Sequence, residues 1–378
     1  MLPDAPAVPD YAHASLGEVL PSAAALLGTA GFHDALRLGE LTGHDVRGVV
    51  VLLVDGLGWS ALTAHADIAP MLAGGEGRAI SAAFPTTTPV GLASLGTALS
   101  PGGHGMLGAT FLLPEEDRVL HPLGWADDPN PMAIQPERSV FEACAAAGLP
   151  VRSVGPRAFR SSGLTRAALR GADYAGADTM GEFVAAVADP RGQRGLTYAY
   201  WADLDKTGHV HGVDSETWQE ELRHVDTFIC RLREALPAET LLVVTADHGM
   251  VDCDGSDRID IDAVPSLRAD VAILAGEPRM RHVYARRGAA EDVESAWRET
   301  LVDTAWVMTR HRAIESGLFG AVDPSYAGRI GDVIAIARDR YALVSPSTDA
   351  NVSSLRGQHG SATEDEMAIP LVVLTGNR

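Results

Sequence analysis

Asp247 and His248 stand side by side in the stretch LLVVTADHGM, at the end of an apolar run. Neighbouring side chains on an extended chain point to opposite faces, so the two serve one site only if the chain turns there. Gly249 permits that turn. Two other apolar runs close on acids in the same way: GVVVLLVDGLG on Asp55, and GLTYAYWADLD on Asp203 and Asp205. Imidazoles lie close by in sequence, with His209 in DKTGH and His359 in LRGQHG. Three carboxylates and three imidazoles gathered at one rim repel one another or stay unsatisfied without a cation. Such a mixed set of oxygen and nitrogen donors suits zinc, manganese or iron. Six ligands are enough for two ions, which lie about 3.5–4 Å apart in two-metal enzymes. Singly, an acid at a strand end is ordinarily a turn former or helix cap, and a His–Gly pair an ordinary loop. It is the joint pattern that points to metal.

A hydroxyl for the same site is offered by AFPTTTPVGLASLGTALSPGGHG. The stretch begins as a loop and becomes a helix near Thr88, a residue type suited to the N-cap, with Pro89 suited to the first turn. The N-terminus of a helix presents unpaired N–H groups and the positive end of its dipole, a cradle for phosphate. Spacing leaves Thr86, Thr87 and Thr88 all open as the functional hydroxyl, or Thr88 as a cap only, and helix entry favours Thr88. Gly91, Ala93, Ser94, Gly96 and Thr97 leave that helix small enough to pack closely on a sheet.

The elements that must position these groups read as an α/β fold. The runs at 48–58, 196–201 and 241–245 have the continuous apolar character of parallel strands buried on both faces. Helical stretches such as SVFEACAAAGLP and ETWQEELRHVDTFICRLREAL lie among them, with Pro150 and Pro237 as stops. Alternation of this kind implies a mostly parallel central sheet flanked by helices on both faces, with ligands outside the carboxyl ends of the strands. From 250 to 357 the texture shifts to short strands and helices richer in arginine, read as a smaller inserted α+β subdomain. The catalytic core is then 1–249 and 358–378, with IPLVVLTG as its last strand. The first 45 residues are the least legible.

The 378 residues carry 50 acids against 30 lysines and arginines, a formal charge of −20. That balance repels nucleic-acid polymers but not a small phosphate ester held in a metal pocket. Cys144, Cys230 and Cys253 are scattered, without a CxxC pair, and read as reduced thiols. No secretory signal or membrane-spanning run is evident, so a cytoplasmic protein without membrane association is expected. Oligomeric state is not legible.

Taken in order, VVLLVDGLG, FPTTTPVGLASLGTALSPGGHG, DLDKTGH, VVTADHG and GQHG resemble the alkaline phosphatase superfamily, and within it the type I phosphodiesterase/nucleotide pyrophosphatase branch. The resemblance implies an alkaline phosphatase-like fold and two divalent ions, most often zinc, with manganese or iron also suited. By it, Asp205, His209 and His359 hold one ion. Asp55, Asp247 and His248 hold the other, with Thr88 completing its shell and acting as nucleophile through a phospho-threonine intermediate.

Two positions depart from the branch. Ala109 stands where nucleotide pyrophosphatases carry an asparagine, and TPVG replaces their TFPN after the nucleophile. The implied activity is hydrolysis of a phosphoric ester, in the manner of a phosphodiesterase. A phosphomonoesterase or phosphonate hydrolase on the same metals, or a catalytically silent metal-binding homologue, are the alternatives. The absence of a C/SxPxR-type motif argues against a sulfatase. Arg160 and Arg166 are candidate substrate contacts, surface arginines being the plainer reading.

Overall fold

The computed structural model describes residues 5–42, 45–189 and 194–377. Its largest sheet has seven strands in the order Glu76–Ser81, Ala368–Thr375, Thr240–Thr245, Gly48–Val54, Leu196–Trp201, Val151–Gly155, Asp173–Gly176. Ala368–Thr375 runs antiparallel to both neighbours, and the remaining strand pairs are parallel. The valine- and leucine-rich strands Gly48–Val54 and Thr240–Thr245 are buried at every position. Branched side chains suit a strand covered on both faces.

Helices cover both faces of this sheet. Val19–Leu26, Thr88–Thr97, Val140–Ala146 and Gly163–Ala168 form one interconnected group, while Glu216–Ala235 packs with Met180–Val187 and Pro70–Ala73. The poorly legible N-terminal region thus supplies a core helix: Leu16, Val19, Leu20, Ala23 and Ala24 are fully buried.

Strand register sets up the site. Leu53 lies opposite both Tyr200 and Thr245, so three strands end at the same level. Asp55 and Asp247 each follow two residues beyond that level. The strand before Asp205 stops at Trp201, as its sequence suggests, and the acid sits in the first turn of the helix Asp203–His211. His209 follows one turn later on the same helix face, as i, i+4 spacing requires.

A second, four-stranded antiparallel sheet lies within 250–357, in the order Val271–Glu277, Met280–Ala285, Val333–Ala337, Ala305–Thr309. Val293 and Trp297, on one face of the helix Ala290–Thr300, pack with Val283, Val333 and Ala335 of this sheet. Pairing of Gly357–Gln358 with Val251–Asp252 draws the two ends of the segment together. A second cluster joins Met280, Ile334 and Ile336 to Phe84, Leu107 and Met367, so the two sheets share a common apolar seam. Across that seam runs a fully buried ion pair, Arg279 to Glu366, with N–O distances of 2.6 and 3.2 Å.

Candidate active site

The turn after Gly48–Val54 delivers Asp55, which is 3 % exposed. Its backbone N–H donates to Trp201 O at 2.9 Å, and one carboxylate oxygen accepts a hydrogen bond from the Tyr200 hydroxyl. Gly56 turns with φ of +74°, and a Cβ there would lie 3.0 Å from the Asp205 Cβ. Asp247 is fully buried, and its Oδ1 accepts from the backbone N–H groups of Gly56 and His248 at 3.3 and 3.1 Å. The other oxygens, Asp55 Oδ1 and Asp247 Oδ2, have no hydrogen-bond partner. His248 Nε2 faces them at 3.5 and 3.7 Å and lies 3.4 Å from Thr88 Oγ1.

A second group sits beside the first. His209 Nε2 is 3.4 Å from Asp205 Oδ2, while His359 Nε2 is 3.2 Å from His209 Nε2 and 3.9 Å from Asp205 Oδ1. Asp205 Oδ1 is again a buried oxygen without a partner. The rings of His248 and His359 stack at 3.8 Å between centroids, tying the two groups together.

The tautomers follow from the acceptors. The Nδ1 atoms of His209, His248 and His359 lie 2.8, 3.0 and 2.9 Å from the backbone carbonyls of Gly357, Gly249 and Thr86. A carbonyl only accepts, so each Nδ1 carries the proton and each Nε2 presents a lone pair inward. Two lone pairs 3.2 Å apart, at His209 and His359, cannot bond to each other. Together with the three unpartnered carboxylate oxygens they form a set of pure donors, which fits divalent cations and fits little else.

Electrostatics agree. Burial, then the Asp247 and Asp205 charges, pushes the Asp55 carboxyl well above its ordinary range. Burial also raises Asp247, against the opposing pull of His248. His359 is pushed well down by burial and then by its two imidazole neighbours.

The three threonines separate by what they touch. Thr86 Oγ1 donates to Ser361 O at 2.7 Å and accepts from Gly360 N, which fixes the His359 loop. Thr87 is the N-cap, and its side chain favours the charged form of Glu277 against the larger opposing effect of burial. Thr88 is therefore the first helical residue rather than the cap, and its Oγ1 faces His248. Gly91 and Gly96 do permit close approach, though not to the strands: a Cβ at Gly91 would lie 2.7 Å from Asp247 Cβ, and one at Gly96 would meet Ala168 O of the neighbouring helix at 1.9 Å.

Two residues of the site escaped the sequence reading. Tyr200 on Leu196–Trp201 bonds Asp55. Glu277, at the end of Val271–Glu277, lies 3.4 Å from His359 Nδ1 and 5 % exposed, with Oε1 unpartnered. An acid closing an apolar strand was the available signal for Glu277, the same signal that marked Asp55. Its position in the second sheet concealed its nearness to His359. Arg160 lies over the Tyr174 ring at 5.4 Å, and Arg166 pairs with Asp127.

Residues 49–362 match the model of the type I phosphodiesterase / nucleotide pyrophosphatase family. The chain belongs to that family. Among curated relatives, it is 31 % identical over 90 residues to the human GPI ethanolamine phosphate transferase 3, catalytic subunit, a match covering 23 % of this chain and 8 % of that protein. It is 33 % identical over 79 residues to human ectonucleotide pyrophosphatase/phosphodiesterase family member 7, covering 19 % and 17 % respectively. The matches thus span only a small part of the length of these relatives. Its fold is that of murine ectonucleotide pyrophosphatase / phosphodiesterase 5, with a TM-score of 0.69 at 20 % identity over 87 % of this chain and 88 % of that one. Phosphonoacetate hydrolase from Sinorhizobium meliloti 1021 gives 0.67 at 18 % identity, over 87 % and 90 %. The family is one of hydrolases acting on phosphoester bonds. Among the described residues no helix is long and apolar enough to cross a membrane.

Proposed function

We propose that this chain is a metal-dependent phosphoric ester hydrolase, phosphodiesterase-like, with Thr88 as nucleophile. The observation that carries the reading is the two adjoining sets of inward Nε2 lone pairs and unpartnered carboxylate oxygens, with His248 Nε2 of one set 3.4 Å from the Thr88 hydroxyl. Asp205, His209 and His359 would hold one divalent ion, and Asp55, Asp247 and His248 the other, with Thr88 on the second. Zinc is the first choice for these donors, and manganese or iron suits them too. When bound, the ions supply charge stabilisation at the phosphoryl oxygens and lower the pKa of coordinated hydroxyls.

The chain's own residues do the rest. Thr88 Oγ1, having lost its proton, attacks phosphorus in line, forming the threonine–phosphorus bond as the ester bond to the alcohol breaks. The departing oxygen takes up a proton, and water then cleaves the phospho-threonine to restore the hydroxyl. The positive end of the Thr88–Thr97 helix dipole favours the negative phosphoryl group throughout. Tyr200 orients Asp55, and the carbonyls on the three Nδ1 atoms hold the imidazoles in one tautomer.

The substrate is a small ester rather than a nucleic-acid polymer, in keeping with the charge of −20. Cys144, Cys230 and Cys253 are free thiols, which suits a reducing cytoplasm. A phosphonate or monoester reading on the same donors shares the fold of the phosphonoacetate hydrolase. The two are separated by turnover of bis-p-nitrophenyl phosphate, p-nitrophenyl phosphate and phosphonoacetate by zinc- and manganese-loaded protein. Preference for the diester is expected. Preference for another member of the panel replaces the diester reading, and bound metal without any turnover ends the hydrolase reading.

A further inference from the structure

The strands Val271–Glu277 and Met280–Ala285 form a hairpin that turns beside His359, with Glu277 paired to Met280 across Pro278 and Arg279. Its tip is aimed by fixed contacts. Gly276 N donates to the Thr110 hydroxyl at 2.8 Å, and that hydroxyl donates to Gly276 O at 2.9 Å. Gly276 has φ of +88°, and a Cβ there would run into Met280 O. On the far side Gly360, with φ of +127°, leaves the acid its room: a Cβ there would lie 2.8 Å from Glu277 Cδ. Glu277 Oε2 thus comes to 3.4 Å from His359 Nδ1, whose proton also faces Thr86 O at 2.9 Å. The acid is 5 % exposed, and its Oε1 has no hydrogen-bond partner.

Resting on the metal-site reading proposed above, we infer that Glu277 is a positioning residue for His359. Its Oε2 is a second acceptor for the Nδ1 proton and holds the ring so that Nε2 points at the ion shared with Asp205 and His209. Three observations carry this. His359 has a carboxyl oxygen at Nδ1 in addition to a backbone carbonyl, whereas the Nδ1 atoms of His209 and His248 face the carbonyls of Gly357 and Gly249. An oxygen behind a ligating imidazole fixes its tautomer and its direction. Burying a carboxyl group with one oxygen unpartnered costs stability, so the fold alone would favour an apolar side chain of similar volume at this strand end. Finally, two glycines in conformations that other residues rarely adopt clear the space on either side of the acid. The segment between Val251 and Gly357 thereby reaches a metal ligand that lies beyond its own end.

Zinc binding tests this without turnover. Glu277→Gln keeps an oxygen acceptor in place, and Glu277→Leu removes it while filling a similar volume. Each is made in a His248→Ala background, which leaves Asp205, His209 and His359 as the intact donor group, and in a His209→Ala background, which leaves the other group. Zinc affinity is read by competition with a chelating dye. In the first background Glu277→Leu should weaken zinc by roughly 10–100-fold, the effect typical of losing the support of a metal ligand, and Glu277→Gln by less than about threefold. In the second background neither should change it. The melting temperature of the metal-free Glu277→Leu protein should stay within about 3 °C of its parent, which separates positioning from loss of packing. In metal-free protein with isotope-labelled histidine, the His359 Nδ1 proton resonance should shift in Glu277→Leu while those of His209 and His248 hold still. Unchanged zinc affinity in the first background overturns the assignment, as does equal loss in both backgrounds, equal loss from Gln and Leu, or a loss that tracks a large fall in melting temperature. A wild-type protein that binds no zinc overturns the metal reading instead. The Nδ1 resonance then decides alone: a shift in Glu277→Leu supports the contact with His359, and an unmoved signal overturns it.

Discussion

Arg279 and Glu366, 87 residues apart, form an ion pair in which neither side chain reaches solvent. The pair is pinned on both sides. Glu366 accepts from Ser361 N and Thr363 Oγ1, next to the His359 loop, and its backbone carbonyl accepts from Gly249 N at 2.9 Å, next to His248. Arg279 donates to the carbonyls of Arg338, Asp339 and Tyr341. The loops bearing His248 and His359 are therefore both held by Glu366, the first through its backbone carbonyl and the second through its carboxylate.

Removing one partner leaves an uncompensated buried charge. Glu366→Gln and Arg279→Met should each destabilise the protein by about 3–5 kcal/mol, read as a loss of urea midpoint. A double substitution to apolar residues of similar volume should recover part of that loss. Single variants within 1 kcal/mol of wild type would show that the pair contributes little.

Thr88→Ala should lower turnover by at least a thousandfold while leaving two equivalents of metal bound. Thr88→Ser, which keeps the hydroxyl, should retain measurable activity. Metal content by atomic emission and initial rates on a nitrophenyl ester check both. A Thr88→Ala protein with most of its activity would transfer the nucleophile to another group.

The two donor groups should fail separately. His209→Ala and His248→Ala should each reduce bound metal from two equivalents to one, and the doubly substituted protein to none. Metal stoichiometry after dialysis decides this. Loss of both ions from either single variant would mean one coupled site.

Gly91→Ala sets helix propensity against the site. Alanine ordinarily stabilises a helix interior by about 0.5–1 kcal/mol relative to glycine. Here the added methyl would press on Asp247 at 2.7 Å. We expect metal affinity to fall by roughly 10–100-fold, the effect typical of disturbing the support of a metal ligand. An unaltered affinity in a competition with a coloured chelator would show that the helix shifts freely.

Buried histidines away from the site set an acid limit. His282 Nε2 donates to Leu107 O at 2.8 Å, while its Nδ1 accepts from Gly331 N, so the ring is neutral. Burial lowers its pKa from 6.5 to about 4. A depressed folded-state pKa contributes stability that is present above pH 6.5 and is lost as pH falls toward 4. The loss is about 3 kcal/mol for a shift of this size. The melting temperature should fall over that window, and His282→Gln should flatten the slope. An equally steep slope in the variant would assign the acid sensitivity to other groups.

The parallel core and the six metal-ligand candidates were legible because each is written locally. Apolar strands ending in acids, with Gly56 and Gly249 to turn, specify both the sheet and the rim. What was not written locally stayed hidden. Glu277 ends a strand, and Arg279 lies in the turn that follows it, in a sheet whose docking on Phe84, Leu107 and Met367 is a tertiary fact. The end of the strand at Trp201 was legible, but the helix Asp203–His211 that carries Asp205 and His209 on one face was not. Thr87 and Thr88 differ only in which one enters the helix, a shift of a single residue within a run of three identical side chains.

The shared seam between the sheets bears on how such a protein could be re-engineered or diversified. The segment between Val251 and Gly357 looks from its ends like a cassette, since both emerge on adjacent strands. It is not an exchangeable one. Whatever replaced it would have to bring its own acid to the back of His359 and its own guanidinium to Glu366, or the catalytic rim would lose its footing while the large sheet stayed whole.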